Sequence, residues 1–339
     1  MTHPKITRRR LATSLAAGAA VAAFPAIVRA QSAAKVTLRL SSVLPTGPNS
    51  AHWLWYDRFA ASLKSKVGDQ IGIEYFPDGQ LGKEVDIIGQ VKLGLVDMML
   101  SGSSIWSTVA PEIGLLDLGY LFTDLNSVGR LLDGEAGRQM NRIFDEKAGV
   151  EILSWAYSLG WRNVTARTPV MKPADLKGLK IRVIPVPTYV STFRAMGAIP
   201  TPLPGGEIYT ALQTGVIDGL EHDAPTVLAF KFHEVAKHIT FTQHIFGAQS
   251  VVIGRRALAK IPRSLEADFR MAAREATVYQ RGKAADAETA ALAQLKAGGV
   301  TVHECDRSAF RDLVAPVWRE FTTTHPSTQP ILKALTEQA

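Results

Sequence analysis

The chain has 339 residues and a formal net charge of +7, but five of its basic residues and none of its acidic residues lie in positions 1–30. Without those positions the charge falls to +2, so the positive excess belongs largely to the N-terminus and leaves no basic stripe for nucleic-acid binding. Cys305 is the only cysteine, which excludes an internal disulfide and, because no cysteine lies in the N-terminal segment, a lipoprotein anchor.

Residues 1–30 have the order of an export signal: a basic head, an Ala/Gly-rich middle, and small residues around Ala30 where a signal peptidase cuts. The run TRRRL at positions 7–11 resembles the twin-arginine motif. A membrane anchor is the alternative, but Pro25 and the many small residues interrupt it. We therefore expect cleavage near Ala30 and a soluble periplasmic protein of 309 residues (339 minus 30), long enough for two lobes.

Strand-like and helix-like patterns alternate through most of the mature chain, which predicts an α/β class with largely parallel sheets. Asn49 or Ser50 can cap the first helix. The predicted elements are a strand at Val36–Leu40, a helix through Trp53, Phe59 and Leu63, a strand at Ile71–Phe76, a helix at Glu84–Leu93 and a strand at Val96–Leu100.

A similar phrase occurs twice along the chain. QVKLGLVDM around Gly94 and ALQTGVIDG around Gly215 share a helix end, a glycine suited to a left-handed cap, two apolar residues and an aspartate, Asp97 or Asp218. The match predicts two lobes of similar design. Helix, cap and strand is a common arrangement, so a chance likeness is the alternative.

An Ala-rich segment from Ser264 to Ala297 predicts a long helix, followed by a strand at Val300–His303. At 1.5 Å per residue the helix would approach ~50 Å, enough to touch both lobes. The alternative is a helix broken at Gly282 and packed on one lobe.

Motifs for nucleotide binding or serine hydrolysis are absent: there is no GxxxxGK[ST], GxGxxG or GxSxG. The nearest approach to a metal motif is HEVAKH, whose histidines, His233 and His238, are five residues apart instead of the four that a zinc-binding helix needs. We therefore predict no metal site there.

Five aromatic residues stand at strand ends or in loops near Ser, Gly and Pro: Trp106, Tyr157, Trp161, Tyr189 and Phe246. Aromatic side chains placed in this way can line a cleft and stack on a ring or sugar face. Core packing is the alternative and the commoner arrangement.

The stretch DLKGLKIRVIPVP predicts a strand with Leu179, Ile181 and Val183 on one face and Arg182 on the other. A solvated outer face would explain the arginine, since charged side chains usually point outward.

Four phrases change that interpretation: FPDGQLGKEVDIIGQVKLGLVDM, LGWRNVTARTPVMKPADLKGLKIRV, MGAIPTPLPGGEIYTALQTGVIDGLE and KFHEVAKHIT. In this order and spacing they resemble the solute receptors of TRAP transporters, the DctP-type periplasmic binding proteins, along nearly the whole mature chain. The resemblance implies that Arg182 forms a two-pronged salt bridge with a substrate carboxylate and that Arg162 lies beside it in the cleft. A guanidinium suits this role because its paired donors match two carboxylate oxygens.

The chain departs from the family where most members read DGQEN and it reads DGLEH, so His222 stands where a ligand-contacting asparagine is usual. The next residue is Asp223 instead of the frequent proline. A carboxylate there would repel a second ligand carboxylate and accept bonds from ligand hydroxyls. We therefore favour a hydroxylated monocarboxylate such as a sugar acid over a C4-dicarboxylate.

Further contacts implied by the resemblance come from the first lobe. The turn SGSSIW supplies Ser101, Ser103 and Trp106, and His52 and Glu84 lie in segments that approach the cleft in relatives. Trp161, Tyr189 and Phe246 complete the set of predicted ligand-binding residues.

The resemblance also implies two lobes with discontinuous boundaries, joined by crossing strands as hinges and by one long helix. We place lobe I at residues 35–158 plus about 248–285, and lobe II at 159–247 plus about 286–330. The implied function is capture of a small organic acid and delivery to the TRAP membrane permease subunits, without cofactor, metal or catalysis, by a monomer. A periplasmic ligand sensor and a metal-dependent enzyme using His222 and Asp223 remain the alternatives from other classes.

Overall fold

The computed structural model describes residues 36–122 and 124–337, with the backbone alone for residues 126 and 337. The predicted export signal lies outside the described residues. Within them, no helix is long and apolar enough to cross a membrane.

Nine strands occur in the described chain: β1 (Val36–Ser42), β2 (Ile71–Phe76), β3 (Met98–Gly102), β4 (Val150–Ala166), β5 (Lys180–Val183), β6 (Ile199–Pro202), β7 (Gly219–His222), β8 (His238–Gly254) and β9 (Thr301–His303). Eleven α-helices accompany them: α1 (Ala51–Val67), α2 (Glu84–Leu93), α3 (Leu125–Asp133), α4 (Glu135–Ala148), α5 (Pro187–Ala195), α6 (Ile208–Gln213), α7 (Ala224–Ala229), α8 (Arg255–Leu258), α9 (Arg263–Ala297), α10 (Arg307–Thr324) and α11 (Gln329–Glu337). Short 3₁₀ turns connect several of them.

One mixed sheet runs through the molecule in the order β2-β1-β3-β8-β4-β7-β5-β6, with β9 beside β8. The parallel group β2-β1-β3 pairs with the end of β8, whereas β7 pairs with the end of β4 and carries β5 and β6 in parallel beyond it. The long antiparallel strands β4 and β8 therefore belong to both halves. They divide the molecule into two α/β lobes, each with its own parallel group.

The two matching phrases have the same structure in the two lobes. Asp97 accepts a 2.8 Å hydrogen bond from the backbone nitrogen of Arg39 on β1, and Asp218 accepts one of equal length from that of Lys180 on β5. The glycine three residues before each aspartate has φ of 78° and 74°, the left-handed conformation that glycine adopts without strain. Each phrase thus ends a helix and fastens the following segment to the neighbouring strand.

The predicted long helix is continuous and contacts both lobes. In lobe I, α9 packs Phe269 into the apolar cluster beneath α1. In lobe II, Ala291 and Leu295 join the cluster formed around β7 and α7. Gly282 lies inside the helix and does not break it. The cost of one glycine, about 1 kcal/mol, is small beside the apolar packing on either side of it.

The crossing strands are irregular where the lobes meet. The register of β4 against β8 shifts between Tyr157 and Trp161, so regular strand pairing is interrupted there. The buried amide of Gln280 on α9 accepts a bond from the backbone nitrogen of Tyr157 at 3.0 Å and donates to its carbonyl at 2.8 Å. The long helix therefore satisfies backbone groups that the bulged strand leaves open.

Gly282→Ala should stabilise the protein by about 0.5–1 kcal/mol, because alanine is the better helix former and an added Cβ would meet no atom within 4 Å. Urea denaturation of both proteins measures the change. Gly137→Ala on α4 is the control: its Cβ would lie 1.6 Å from the carbonyl oxygen of Leu132, so the same substitution should be destabilising. Equal effects at the two positions would contradict a continuous α9 with open space at Gly282.

Candidate functional site

A cavity lies between the lobes, with an empty volume of about 660 Å³ that includes its open mouth. Both lobes contribute polar side chains to its wall. From lobe I these are His52, Glu84, Ser104 and Gln249, and from the crossing strand β4 and lobe II they are Ser158, Arg162, Arg182, His222, Asp223 and Thr226.

Arg182 is a buried cation without a close anionic partner among the described residues. Its side chain on β5 is 3% exposed, so a solvated outer face is ruled out. Its Nε donates to the carbonyl oxygen of Leu203 at 2.8 Å, and its Nη1 is 4.0 Å from Oε1 of Glu221. Burial lowers the pKa of Arg182 to about 10, and Glu221 only partly offsets that effect. A ligand carboxylate would supply the missing partner.

Arg162, by contrast, is held by an internal carboxylate. Its Nε and Nη2 donate to the two carboxylate oxygens of Glu221 at 2.5 and 2.8 Å, and Nη2 also reaches the backbone oxygen of Glu221 at 3.1 Å. The guanidinium lies over the ring of Tyr189, 5.4 Å from its centroid. Burial opposes the charge, but the pairing with Glu221 raises the pKa of Arg162 above its ordinary value. Arg162 therefore stays charged and fixed in orientation.

Glu221 is fully buried on β7 and is the carboxylate that pairs with Arg162. Burial alone would raise its pKa, but the charge of Arg162 and the neighbouring His244 together lower it to about 2. The Nε2 atom of His244 is 3.5 Å from the carboxylate, a long contact, and its Nδ1 is 2.8 Å from the hydroxyl of Thr242.

In lobe I, His52 is enclosed by two polar partners. Its Nδ1 is 2.7 Å from the hydroxyl of Ser42, and its Nε2 is 2.9 Å from Oε1 of Gln249. Burial lowers the pKa of His52 to about 4, so the ring is neutral at pH 7. Because Oε1 can only accept, Nε2 carries the proton, and both nitrogens are engaged. The amide nitrogen of Gln249, which has only a 3.4 Å contact with the carbonyl of Gly247, is the available donor on this side.

Glu84, the first residue of α2, faces the arginines from lobe I and is half-buried. Burial raises its pKa to about 7, although Arg182 and Arg162 act in the opposite direction. An acid that titrates near neutrality thus lines the same cavity as the unpaired arginine.

Asp223 is the N-cap of α7 and closes the cavity wall beside His222. One carboxylate oxygen accepts from the backbone nitrogen of Thr226 at 2.9 Å. The other accepts from the hydroxyl of Ser158 at 2.6 Å and lies 2.8 Å from Nδ1 of His222. Three groups of the protein therefore already use this carboxylate.

The structure brings six of the predicted binding residues together around the cavity: Arg182, Arg162, His222, Asp223, His52 and Glu84. The other six lie outside its lining: Ser101, Ser103, Trp106, Trp161, Tyr189 and Phe246.

Packing explains the position of the aromatic residues in that second group. Trp106 is fully buried, with its Nε1 donating to Oγ of Ser101 at 2.9 Å. Phe246 meets Trp161 at a tilt with ring centroids 5.4 Å apart. Trp161 lines a separate surface cavity, because neighbouring residues of a strand point to opposite faces and Arg162 faces the cleft. Tyr189 is a buried platform for Arg162.

Four polar lining residues are not among the predicted binding residues: Ser104, Ser158, Thr226 and Gln249. The turn containing Ser104 was predicted to approach the cleft, but it forms a 3₁₀ helix that turns Ser104 to the cavity and buries Ser103. Ser158 and Gln249 lie in the crossing strands β4 and β8. The pattern of polar and apolar residues in these strands does not indicate which side chains face the cleft.

The HEVAKH histidines do not lie on one helix. A 3₁₀ turn covers Phe232–Glu234, and β8 begins at His238. The Nδ1 atom of His238 is 3.0 Å from Nε2 of His303 on β9. In the part of the chain that the structure describes, no group of three or more metal-ligating side chains is found.

Two lobes, a cleft between them and a buried arginine that comes no closer than 4.0 Å to Glu221 are the features expected of a binding protein for an acidic solute. The chain belongs to the bacterial extracellular solute-binding proteins, family 7 (DctP), whose model matches residues 46–324. This confirms the predicted family.

Individual relatives agree. The chain is 34% identical over 283 residues to the 2,3-diketo-L-gulonate-binding periplasmic protein of Escherichia coli (strain K12), covering 83% of this chain and 86% of that one. Among solved structures, it resembles TRAP periplasmic solute binding proteins from Xanthobacter autotrophicus Py2, with bound β-D-galacturonate, and from Citrobacter koseri, with bound D-glucuronate. Both are 30% identical with a TM-score of 0.83, covering 89% and 88% of this chain and 98% of each of theirs. The protein is thus a TRAP-type solute receptor with the two-lobed fold of that class.

Glu221→Gln should lower the free energy of unfolding at pH 7 by about 3–5 kcal/mol, because it leaves Arg162 buried without a carboxylate. The folded pKa of Glu221, about 2, lies below its unfolded value of about 4.3. Stabilisation by this charge is therefore complete above the unfolded value and is lost as the pH falls toward 2.

Urea denaturation at pH 7 and pH 3 measures this: the difference between wild type and variant should shrink at pH 3. Glu135→Gln, which breaks an exposed ion pair with Arg138, is the control and should change stability little at either pH. A pH-independent difference would show that Glu221 acts through shape instead of charge.

Proposed function

We propose that this receptor binds a hydroxylated monocarboxylate, a sugar acid of about six carbons, with Arg182 holding the carboxylate. The observation that carries the proposal is the environment of Arg182: a buried guanidinium in the cavity wall with one backbone partner and no carboxylate of the described chain within bonding distance. The acids named for the three relatives described above have the same chemistry, one carboxylate and several hydroxyl or carbonyl oxygens.

A carboxylate entering the cleft would pair with the Nη groups of Arg182. Such a charge-assisted, two-pronged bond is stronger than a neutral hydrogen bond and fixes the orientation of the acid. Exclusion of water by the surrounding lobes strengthens it further. Arg162 adds positive potential from a fixed position, because Glu221 already orients its guanidinium.

The remainder of the cavity is built for hydroxyl groups. Gln249 offers an amide donor from lobe I, Ser104 a hydroxyl and Glu84 an oxygen acceptor, while Asp223, whose oxygens are already bonded within the protein, adds negative charge beside them. The two acids would repel a second carboxylate, so a C4-dicarboxylate fits this wall less well than a polyol acid.

We further propose that the closed, loaded receptor delivers its ligand unchanged to TRAP permease subunits, that the mature chain begins near Gln31 after export to the periplasm, and that it acts as a monomer. Release requires only that the open state binds the acid less tightly than the closed state.

Arg182→Ala should abolish the thermal stabilisation that D-glucuronate or D-galacturonate gives the wild type and should weaken binding by a hundredfold or more, about 3 kcal/mol. Differential scanning fluorimetry against a panel of sugar acids and dicarboxylates, followed by calorimetric titration, measures both. Arg194→Ala, which removes an exposed arginine on α5, is the matched control and should bind as the wild type does. Retained binding in Arg182→Ala, or a wild type that responds to no carboxylate, would overturn the proposal.

Glu84→Gln should relax discrimination against dicarboxylates. Because the pKa of Glu84 is about 7, its carboxyl is mostly ionised at pH 8 and mostly neutral at pH 6. The ratio of the dissociation constants for succinate and D-glucuronate should therefore be roughly tenfold smaller in the variant than in the wild type at pH 8, and nearly equal in the two at pH 6. Calorimetric titration at both pH values tests this. An unchanged ratio at pH 8 would remove Glu84 from the specificity of the site.

A further inference from the structure

His222 has one ring nitrogen engaged by the protein and one left to the cavity. The residue lines the cleft, and its side chain is 15% exposed. Nδ1 lies 2.8 Å from Oδ2 of Asp223. Nε2 has no hydrogen bond to any residue that the structure describes, so it is available to a bound solute.

Two contacts at Nδ1 require opposite tautomers. The carboxylate of Asp223 can only accept, so it needs a proton on Nδ1, whereas the backbone nitrogen of Asp223, 3.0 Å away, would donate to a bare Nδ1. A bond to a carboxylate is charge-assisted and about twice as strong as a neutral one. A bare nitrogen facing a carboxylate at 2.8 Å would also be repelled. The proton therefore resides on Nδ1.

We infer that Asp223 is a positioning residue that holds His222 in the Nδ1-protonated tautomer. Nε2 of His222 can then only accept a hydrogen bond. His222 therefore selects acids that carry a hydroxyl donor facing Nε2. An asparagine or glutamine could rotate its amide to donate or accept, but a locked neutral imidazole cannot. The identity of the solute in this inference rests on the proposed function, whereas the control of the His222 tautomer by Asp223 does not.

The surroundings support a neutral, fixed ring. Burial lowers the pKa of His222 and the charge of Arg162 acts in the same direction, whereas Asp223 and Glu221 act against them; the net direction is downward, which favours the neutral imidazole. Asp223 is itself fixed, because Ser158 and the backbone of Thr226 hold its two oxygens. Tautomer control of this kind is well established where a buried aspartate orients a histidine.

The position of His222 relative to Arg182 suits a sugar acid. Strand β7 lies between β5 and β4, with Arg182 opposite Leu220, two residues before His222. Neighbouring strands are about 4.8 Å apart, and two residues advance about 6.6 Å along a strand. This backbone spacing would allow a hydroxyl several bonds from the carboxylate to reach His222 while Arg182 holds the acid group.

Asp223→Asn separates the lock from the fold. Asparagine caps a helix as well as aspartate does, so its oxygen can keep the bond from Thr226, while its amide nitrogen takes the place of Oδ2 and donates to Nδ1 of His222. The proton then moves to Nε2. Long-range ¹H–¹⁵N NMR of the ligand-free protein, with His222→Gln to assign the signal, should show the Nδ1-H tautomer in the wild type and the Nε2-H tautomer in the variant. The Nε2-H tautomer in the wild type would overturn the inference, whatever the solute is.

Binding of deoxyfluoro analogues of D-glucuronate tests the selectivity, since fluorine in place of a hydroxyl cannot donate. In the wild type, one analogue should bind roughly tenfold more weakly than D-glucuronate, and in Asp223→Asn that difference should disappear. A merely structural role for Asp223 would weaken all ligands alike and leave the ratio unchanged, which would refute the selection. Asp306→Asn, which alters the N-cap of α10, is the matched control and should preserve the wild-type ratio.

If D-glucuronate does not bind the wild type, the proposed ligand class fails, and the tautomer measurement still decides the lock. If D-glucuronate binds, and the ratio of the dissociation constants of the analogue and D-glucuronate is the same in Asp223→Asn as in the wild type, the proposed function stands and the selective role of His222 is refuted.

Discussion

The site depends on an imbalance in the pairing of its buried charges: two arginines lie at the cleft, and Glu221 forms a close ion pair with only one of them. Glu221 gives both its oxygens to Arg162 and leaves Arg182 at 4.0 Å. A buried cation without a closely bonded anion is costly, and a ligand carboxylate at Arg182, as in the proposed function, would reduce that cost. Under the proposed function, a bound acid would therefore stabilise the closed state relative to the open one, as a receptor that distinguishes loaded from empty requires.

The scaffold explains how that imbalance is kept. Arg182, Glu221 and Arg162 lie on three adjacent strands, β5, β7 and β4, so their spacing is set by backbone hydrogen bonds instead of by loops. The strands that pass between lobes carry irregularities at the junction, and α9 covers them through Gln280. The site residues are therefore held rigidly within each lobe, whereas the pairing of β4 with β8 is interrupted between the lobes. Relative movement of the lobes would disturb the fewest strand pairs at that interruption.

Local signals in the sequence predicted much of this fold. The strand at Ile71–Phe76 and the helix at Glu84–Leu93 have the predicted bounds, and Ser50 caps α1 through the backbone of Trp53. Strand β3 begins at Met98, two residues later than predicted, because Asp97 is bonded to β1 before the strand starts. The long helix could not be distinguished from two short ones by its own residues, since the packing that decides it comes from segments distant in sequence.

The binding site was less predictable for a related reason. Family motifs pointed to Arg182, but which side chain Arg162 pairs with is a matter of neighbouring strands, and Glu221 lies 59 residues away from it. Aromatic residues near turns suit a core as well as a cleft, and the tertiary packing placed Trp106 and Phe246 in the core. His222 shows the limit most clearly. A histidine side chain can donate or accept a hydrogen bond. Which of the two His222 offers to a solute depends on its neighbour Asp223, which is fixed by Ser158 and the first turn of α7.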